Sequence, residues 1–219
     1  METTQDLPRK TRDLHNHHMD SSVWDEFRFR DGDIVIATYG KSGTTWVQQI
    51  VAQLVFDGAE DVAVAELSPW VDLRIPPKHV KLPALEEQRH RRFLKTHLPL
   101  DALVFSPIAK YLYVARDGRD VVWSLYNHHA MANEKWYSAL NDTPGLVGPR
   151  IEPPATSVRQ YFNECRERRV PLLVLLGEHF ILVECAQPAQ CHAGALQSVE
   201  ARFARTGPAH RFLSRYQDR

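Results

Sequence analysis

Residues 33–45 read Asp-Ile-Val-Ile-Ala-Thr-Tyr-Gly-Lys-Ser-Gly-Thr-Thr, and this stretch constrains the fold more than any other. The β-rich run ends at Tyr39, and a loop with two glycines, one lysine and three hydroxyls follows. Helical spacing then begins: Trp46, Val47, Ile50, Val51, Leu54 and Val55 share one face up to the Asp57-Gly58 stop. A loop between a strand and a helix N-terminus presents backbone N–H groups and the positive end of the helix dipole, and both favour phosphate or sulfate. Gly40 and Gly43 let the backbone curl, Lys41 adds a charge, and Ser42, Thr44 and Thr45 add donors.

A Walker A loop has the form GxxxxGK[ST]. Here Gly40-Lys41-Ser42 supplies its last letters, but Val35 stands where the first glycine belongs. The loop is P-loop-like without being a Walker A loop. Further strands are expected at Arg91–Pro99 and Lys110–Arg116, and helices around Leu85, over Asp120–Ala130 and over 157–167. Strands alternating with helices predict an α/β fold, with a P-loop-NTPase-like parallel sheet flanked by helices. Residues 1–30 read as polar, 66–90 as Pro-broken, and 141–156 as a Pro/Gly loop.

The 27 basic and 27 acidic residues balance, so no global field favours nucleic acid or an anionic membrane. No apolar run reaches the roughly 18 residues of a membrane span, and Met1 opens no apolar signal core. Cys165, Cys185 and Cys191 form no CxxC pair, which is simplest in a reducing cytoplasm. His15, His17, His18, His128 and His129 show no recognisable metal-ligand spacing; they are expected as solvated surface histidines, and no metal is expected. Arg89–Arg92 reads as a solvated basic run, and Asp117 and Asp120 as capping and turn residues.

The segment Tyr39–Trp46 resembles the 5′-phosphosulfate loop of the cytosolic-type sulfotransferases, with Gly40 in place of the family's proline. Ser68-Pro69-Trp70 resembles the family's substrate-side segment, Lys95–Pro99 its catalytic strand end, and Tyr111–Tyr126 its 3′-phosphate segment. The resemblance covers about residues 24–165, with the motifs in family order. It implies transfer of a sulfuryl group from 3′-phosphoadenylyl sulfate (PAPS) to a hydroxyl or amine of a small-molecule acceptor, without metal. It also implies His97 as general base, Lys41 at the leaving phosphate and Lys95 at the sulfuryl oxygens. Ser42, Gly43, Thr44 and Thr45 would complete the loop site, Trp46 would face adenine, and Arg116 and Ser124 would hold the 3′-phosphate. The acceptor pocket is expected from loops at 66–90 and 131–156.

Beyond about residue 167 the resemblance stops. No late Arg-Lys-Gly grip on the 3′-phosphate follows; the Arg-Lys pair is Arg9-Lys10. Codons for Arg169–Phe203, read one base later with third bases free, can spell a segment containing Asn-Leu-Pro-Asn-Val-Met-Leu-Val-His-Phe, which closely resembles the family's next strand. The expected organisation is a family core over 1–167 and an out-of-frame, non-family tail over 168–219. Two alternatives follow: an inactive remnant that at most binds nucleotide, and a P-loop nucleotide kinase or NTPase. Dependence on Mg²⁺ separates the latter from a sulfotransferase.

Overall fold

The computed structural model describes residues 7–154, 157–167 and 183–185. In chain order the elements are α1 (Val23–Glu26), β1 (Ile34–Thr38), α2 (Thr44–Val55), α3 (Val64–Leu67) and α4 (Lys78–Glu87). They continue with β2 (Phe93–Thr96), a 3₁₀ turn at Leu100–Ala102, β3 (Lys110–Val114), α5 (Gly118–Met131), α6 (Glu134–Asp142), α7 (Val158–Glu167) and β4 (Val183–Cys185).

The sheet order is β2-β1-β3-β4. β1 is parallel to both neighbours, with Ile36 opposite Lys95 on one side and Leu112 on the other. β4 adds antiparallel to β3. The expected parallel α/β sheet is present, and its fourth strand runs the other way. Because β1 is central, its loop leaves the sheet between the carboxyl ends of β2 and β3. Open α/β sheets bind ligands at such a point.

Side chains of β1 alternate between two cores. Val35 and Ala37 pack with Leu94, Tyr111 and Tyr113, while Ile36 packs with Phe93 and the α2 residues Val51 and Ala52. Each fully buried aliphatic or aromatic side chain contributes about 1.5–3 kcal/mol. The buried face of α2 differs from the apolar stripe of its sequence: Thr44, Gln48, Val51 and Ala52 are buried, while Trp46 and Leu54 are largely exposed. Gln48 is buried because its Nε2 donates to the Ser68 carbonyl at 2.7 Å and to the Ser68 hydroxyl at 2.9 Å.

Three local expectations are corrected. The polar-looking N-terminal stretch places Leu14, Met19, Val23, Trp24 and Phe27 in the larger core. Arg92 is not solvated; it is fully buried against Asp33. Helix α6 occupies residues that carried no helix expectation, and Asn133 caps it by accepting from the Trp136 N–H at 3.0 Å. The tail expectation over 168–219 lies outside the described residues apart from β4.

Candidate active site

The loop after β1 forms as its residue types require, with one exchange. Gly43 is the N-cap of α2 at φ 93°, a left-handed conformation, and Lys41 also takes a positive φ of 64°. Gly40 is not among the left-handed glycines. The second glycine of the loop therefore carries the conformational demand, together with a lysine whose backbone is strained.

A cleft of about 640 Å³ opens at the carboxyl ends of the strands. Lys41, Gly43, Thr44, Thr45 and Trp46 line it from the loop and α2, Lys95 and His97 from the end of β2, and Arg116 and Ser124 from beyond β3 and on α5. Of the site residues expected from sequence, Ser42 alone is not in the lining; it is buried, and its Oγ has no hydrogen-bond partner. Among the described residues no carboxylate pairs with Lys41 or Lys95. Two ammonium groups without a carboxylate in contact, beside a helix N-terminus, give the cleft the character of an anion site, although the buried Asp72 offsets part of the Lys95 charge. Arg116 is partly committed: its Nε lies 3.4 Å from Asp120, and its guanidinium donates to the Lys41 carbonyl at 3.4 Å. Asp117 caps α5, accepting from the Arg119 N–H at 2.8 Å, as expected.

His97 is held by the backbone of β1. Its Nδ1 lies 2.7 Å from the Thr38 carbonyl and 3.3 Å from the Thr38 hydroxyl. A carbonyl only accepts, so Nδ1 carries the proton and Nε2 is left as the basic nitrogen. Burial pushes the imidazole down to about 3; Lys95 and Lys41 add to this, while the Thr38 bond opposes it. Burial also lowers Lys95, with Asp72 opposing and Lys41 adding. The Trp70 ring meets His97 edge-on at 4.5 Å, and the Lys95 ammonium sits 4.8 Å from the same ring's centroid.

The other wall of the cleft was expected from sequence only in part: Trp136 falls within the 131–156 acceptor segment, while its histidines were missed. His18, His128, His129 and Trp136 line it, whereas these histidines were expected in solvent. His18 is pushed by burial to about 3, and His129 to about 4, each with neighbouring imidazoles adding. The Tyr161 hydroxyl on α7 lies 3.1 Å from His129 Nδ1. His15 is exposed, as expected. One signal was available: His128 follows Ser124 by one helical turn, which puts both on one face of α5. Among the described residues no group of three or more His, Cys, Asp or Glu is placed to hold a metal. No helix among them is long and apolar enough to cross a membrane.

Residues 31–180 match the family model described as "Sulfotransferase domain". The chain belongs to the sulfotransferase family. The match runs past residue 167 and ends at 180. A glycolipid sulfotransferase of Mycobacterium tuberculosis is 41% identical over 136 residues, covering 62% of this chain and 42% of that protein. Mouse Sulfotransferase 1B1 is 34% identical over 137 residues, covering 58% of this chain and 44% of the mouse protein. The chain thus spans less than half the length of these relatives. Among solved structures, a mouse sulfotransferase complexed with PAP shares 20% identity at a TM-score of 0.45, covering 66% of this chain and 44% of that one. A retinol dehydratase in complex with androsterone and inactive cofactor PAP shares 20% identity at a TM-score of 0.42, covering 68% and 54%. Family membership sets aside the nucleotide-kinase alternative.

Proposed function

We propose that this chain transfers a sulfuryl group from PAPS to a hydroxyl or amine of a small-molecule acceptor. The observation that carries the reading is the convergence of Lys41, Lys95 and His97 on one cleft where, among the described residues, no carboxylate forms an ion pair with either lysine.

When bound, the donor supplies the sulfuryl group and a phosphate leaving group. The loop amides, Lys41 and the Thr45 hydroxyl hold its 5′ side, with Ser42, Gly43 and Thr44 shaping the loop; Arg116 and Ser124 hold the 3′-phosphate, and Trp46 offers a flat face to adenine. His97 Nε2 takes the proton from the acceptor hydroxyl as the new oxygen–sulfur bond forms. Lys95 faces the sulfuryl oxygens, and Lys41 neutralises charge building on the leaving phosphate. Negative charge on the donor offsets both lysines, which raises His97 toward its ordinary range and makes it a better base. The acceptor end is the wall of His18, Trp70, His128, His129 and Trp136. The mycobacterial relative is named for a glycolipid acceptor, and a glycolipid is the first acceptor to test.

Turnover by this chain depends on what residues 168–219 supply. An out-of-frame tail there would leave the 3′-phosphate with Arg116 and Ser124 alone, and the coding DNA tests that directly. The function itself is tested by thermal denaturation of the 219-residue chain with adenosine 3′,5′-bisphosphate, against ATP with Mg²⁺. A ligand that binds the native state raises Tm by mass action. A rise with the bisphosphate alone is the expected result; no rise, or a rise only with ATP and Mg²⁺, overturns it. Turnover with PAPS and an acceptor then separates an active enzyme from a nucleotide-binding remnant.

A further inference from the structure

Asp72 lies just beyond the cleft and is completely buried. It lines neither the cleft nor the neighbouring cavity. Each of its carboxylate oxygens accepts a tryptophan N–H: Oδ2 from Trp70 Nε1 at 2.8 Å, and Oδ1 from Trp24 Nε1 at 3.1 Å. The two indoles are unlike in position. Trp24 is core, 1% exposed, edge-on to Phe27 and stacked on Phe29. Trp70 is a wall of the cleft, edge-on to His97 and beneath the Lys95 ammonium.

The backbone around Asp72 is pinned from two sides. Trp70 bridges to Lys95 beside β2, with Lys95 N–H donating to the Pro69 carbonyl at 3.1 Å and Val71 N–H to the Lys95 carbonyl at 3.0 Å. From α4, the buried Lys81 ammonium donates to the carbonyl of Val71 at 3.0 Å and to that of Leu73. A buried carboxylate is expensive unless its oxygens are satisfied. Here the Thr96 side chain also bonds the carboxylate, and one of the two indoles that satisfy it is the ring that touches both side chains proposed for the chemistry.

We propose that Asp72 is a positioning residue: through the Trp70 indole it sets where His97 and Lys95 stand in the cleft. The inference rests on the assignment of His97 and Lys95 as reacting groups, but its first test does not require turnover. An aspartate presents two acceptors to two indoles, whereas asparagine presents one acceptor and one donor. Asp72→Asn therefore leaves one N–H facing an amide N–H₂. Trp24→Phe is the control, because it removes the bond on the other oxygen without touching the cleft.

The measurement is the imidazole C–H resonances of His97 by NMR, together with Tm, in the wild type, Asp72→Asn, Trp70→Phe and Trp24→Phe. The His97 resonances sense the ring current of Trp70. The expected result is that Asp72→Asn and Trp70→Phe displace them, while Trp24→Phe lowers Tm and leaves them in place. If Asp72→Asn fails to fold, Asp72→Glu, which moves both acceptors outward by one methylene, is compared with Trp24→Phe in its place. Should Asp72→Asn lower Tm but displace the His97 resonances no more than Trp24→Phe does, Asp72 is merely structural and the proposal is overturned. In turnover with PAPS, Asp72→Asn is expected to lower kcat about tenfold, the scale of one charged hydrogen bond, with the Kd for the bisphosphate unchanged. A wild type that does not bind the bisphosphate defeats the proposed function, and the resonance comparison still decides the position of Trp70.

Discussion

Arg92 and Asp33 form an ion pair at 2.5 Å, with their side chains 1% and 2% exposed. Both stand immediately before strands of the parallel sheet, Asp33 before β1 and Arg92 before β2. The guanidinium makes bonds to both carboxylate oxygens, at 2.9 Å from Nε and 2.5 Å from Nη2, and lies 4.8 Å from the centroid of the Phe27 ring. Its remaining donors reach the carbonyls of Arg28 and Leu85. The pair thus ties β1 and β2 together with the N-terminal segment and α4, at the end of the sheet opposite the cleft.

Breaking that pair from one side leaves a buried charge alone. Arg92→Ala or Asp33→Ala is expected to cost about 3–5 kcal/mol, while a combined Arg92→Met, Asp33→Leu variant is expected to cost much less. Urea denaturation of each variant checks this; equal losses in single and double variants would contradict it.

Gly43 enters α2 at φ 93°, and no atom lies within 4 Å of where a Cβ would stand. The cost of Gly43→Ala is therefore backbone conformation alone, about 1–2 kcal/mol. Chemical denaturation measures it. An unchanged stability would mean that the loop does not hold its left-handed turn in solution.

Lys41 faces the cleft, and among the described residues no carboxylate pairs with it. Lys41→Ala is expected to weaken adenosine 3′,5′-bisphosphate binding about tenfold to about a hundredfold, the scale of a charge-assisted hydrogen bond, with little change in Tm of the free protein. Calorimetric titration checks it. Equal affinity in the variant would remove the lysine from the anion site.

The imidazole of His97 stays neutral down to about pH 3 in the free protein, chiefly through burial and then through Lys95 and Lys41. An anion that neutralises the lysines is expected to raise its pKa, and NMR titration with and without bisphosphate reads the shift. A downward shift, or none, would place the anion elsewhere.

Stability should also fall with acid for a stated reason. His18 and His97 sit near 3 and His129 near 4, all below their ordinary 6.5. Between those values the unfolded chain binds protons that the native chain refuses, so stability present above 6.5 is lost as pH falls through the window. Tm measured across that range is expected to drop. Replacing His18 with glutamine should flatten the drop.

Much of this was legible in residues 33–45 and 91–126, because a strand, a glycine-bearing loop and a helix are local devices. Their types and order predicted the parallel strands and the anion loop with Lys41; the resemblance to the sulfotransferase family implied Lys95, His97, Arg116 and Ser124 as site residues, and the structure brings all five to one cleft. What local pattern does not carry is which polar residue is buried and against what. Arg92 reads as solvated because its partner, Asp33, is distant in sequence. Nothing in the local sequence marks Asp72, because one of its two indoles comes from Trp24, far up the chain. His18 and His129 wall the cleft only because the N-terminal segment and α5 meet over it. Backbone conformation is decided by neighbours along the chain, and burial and electrostatic environment by neighbours in space, which only the tertiary structure supplies.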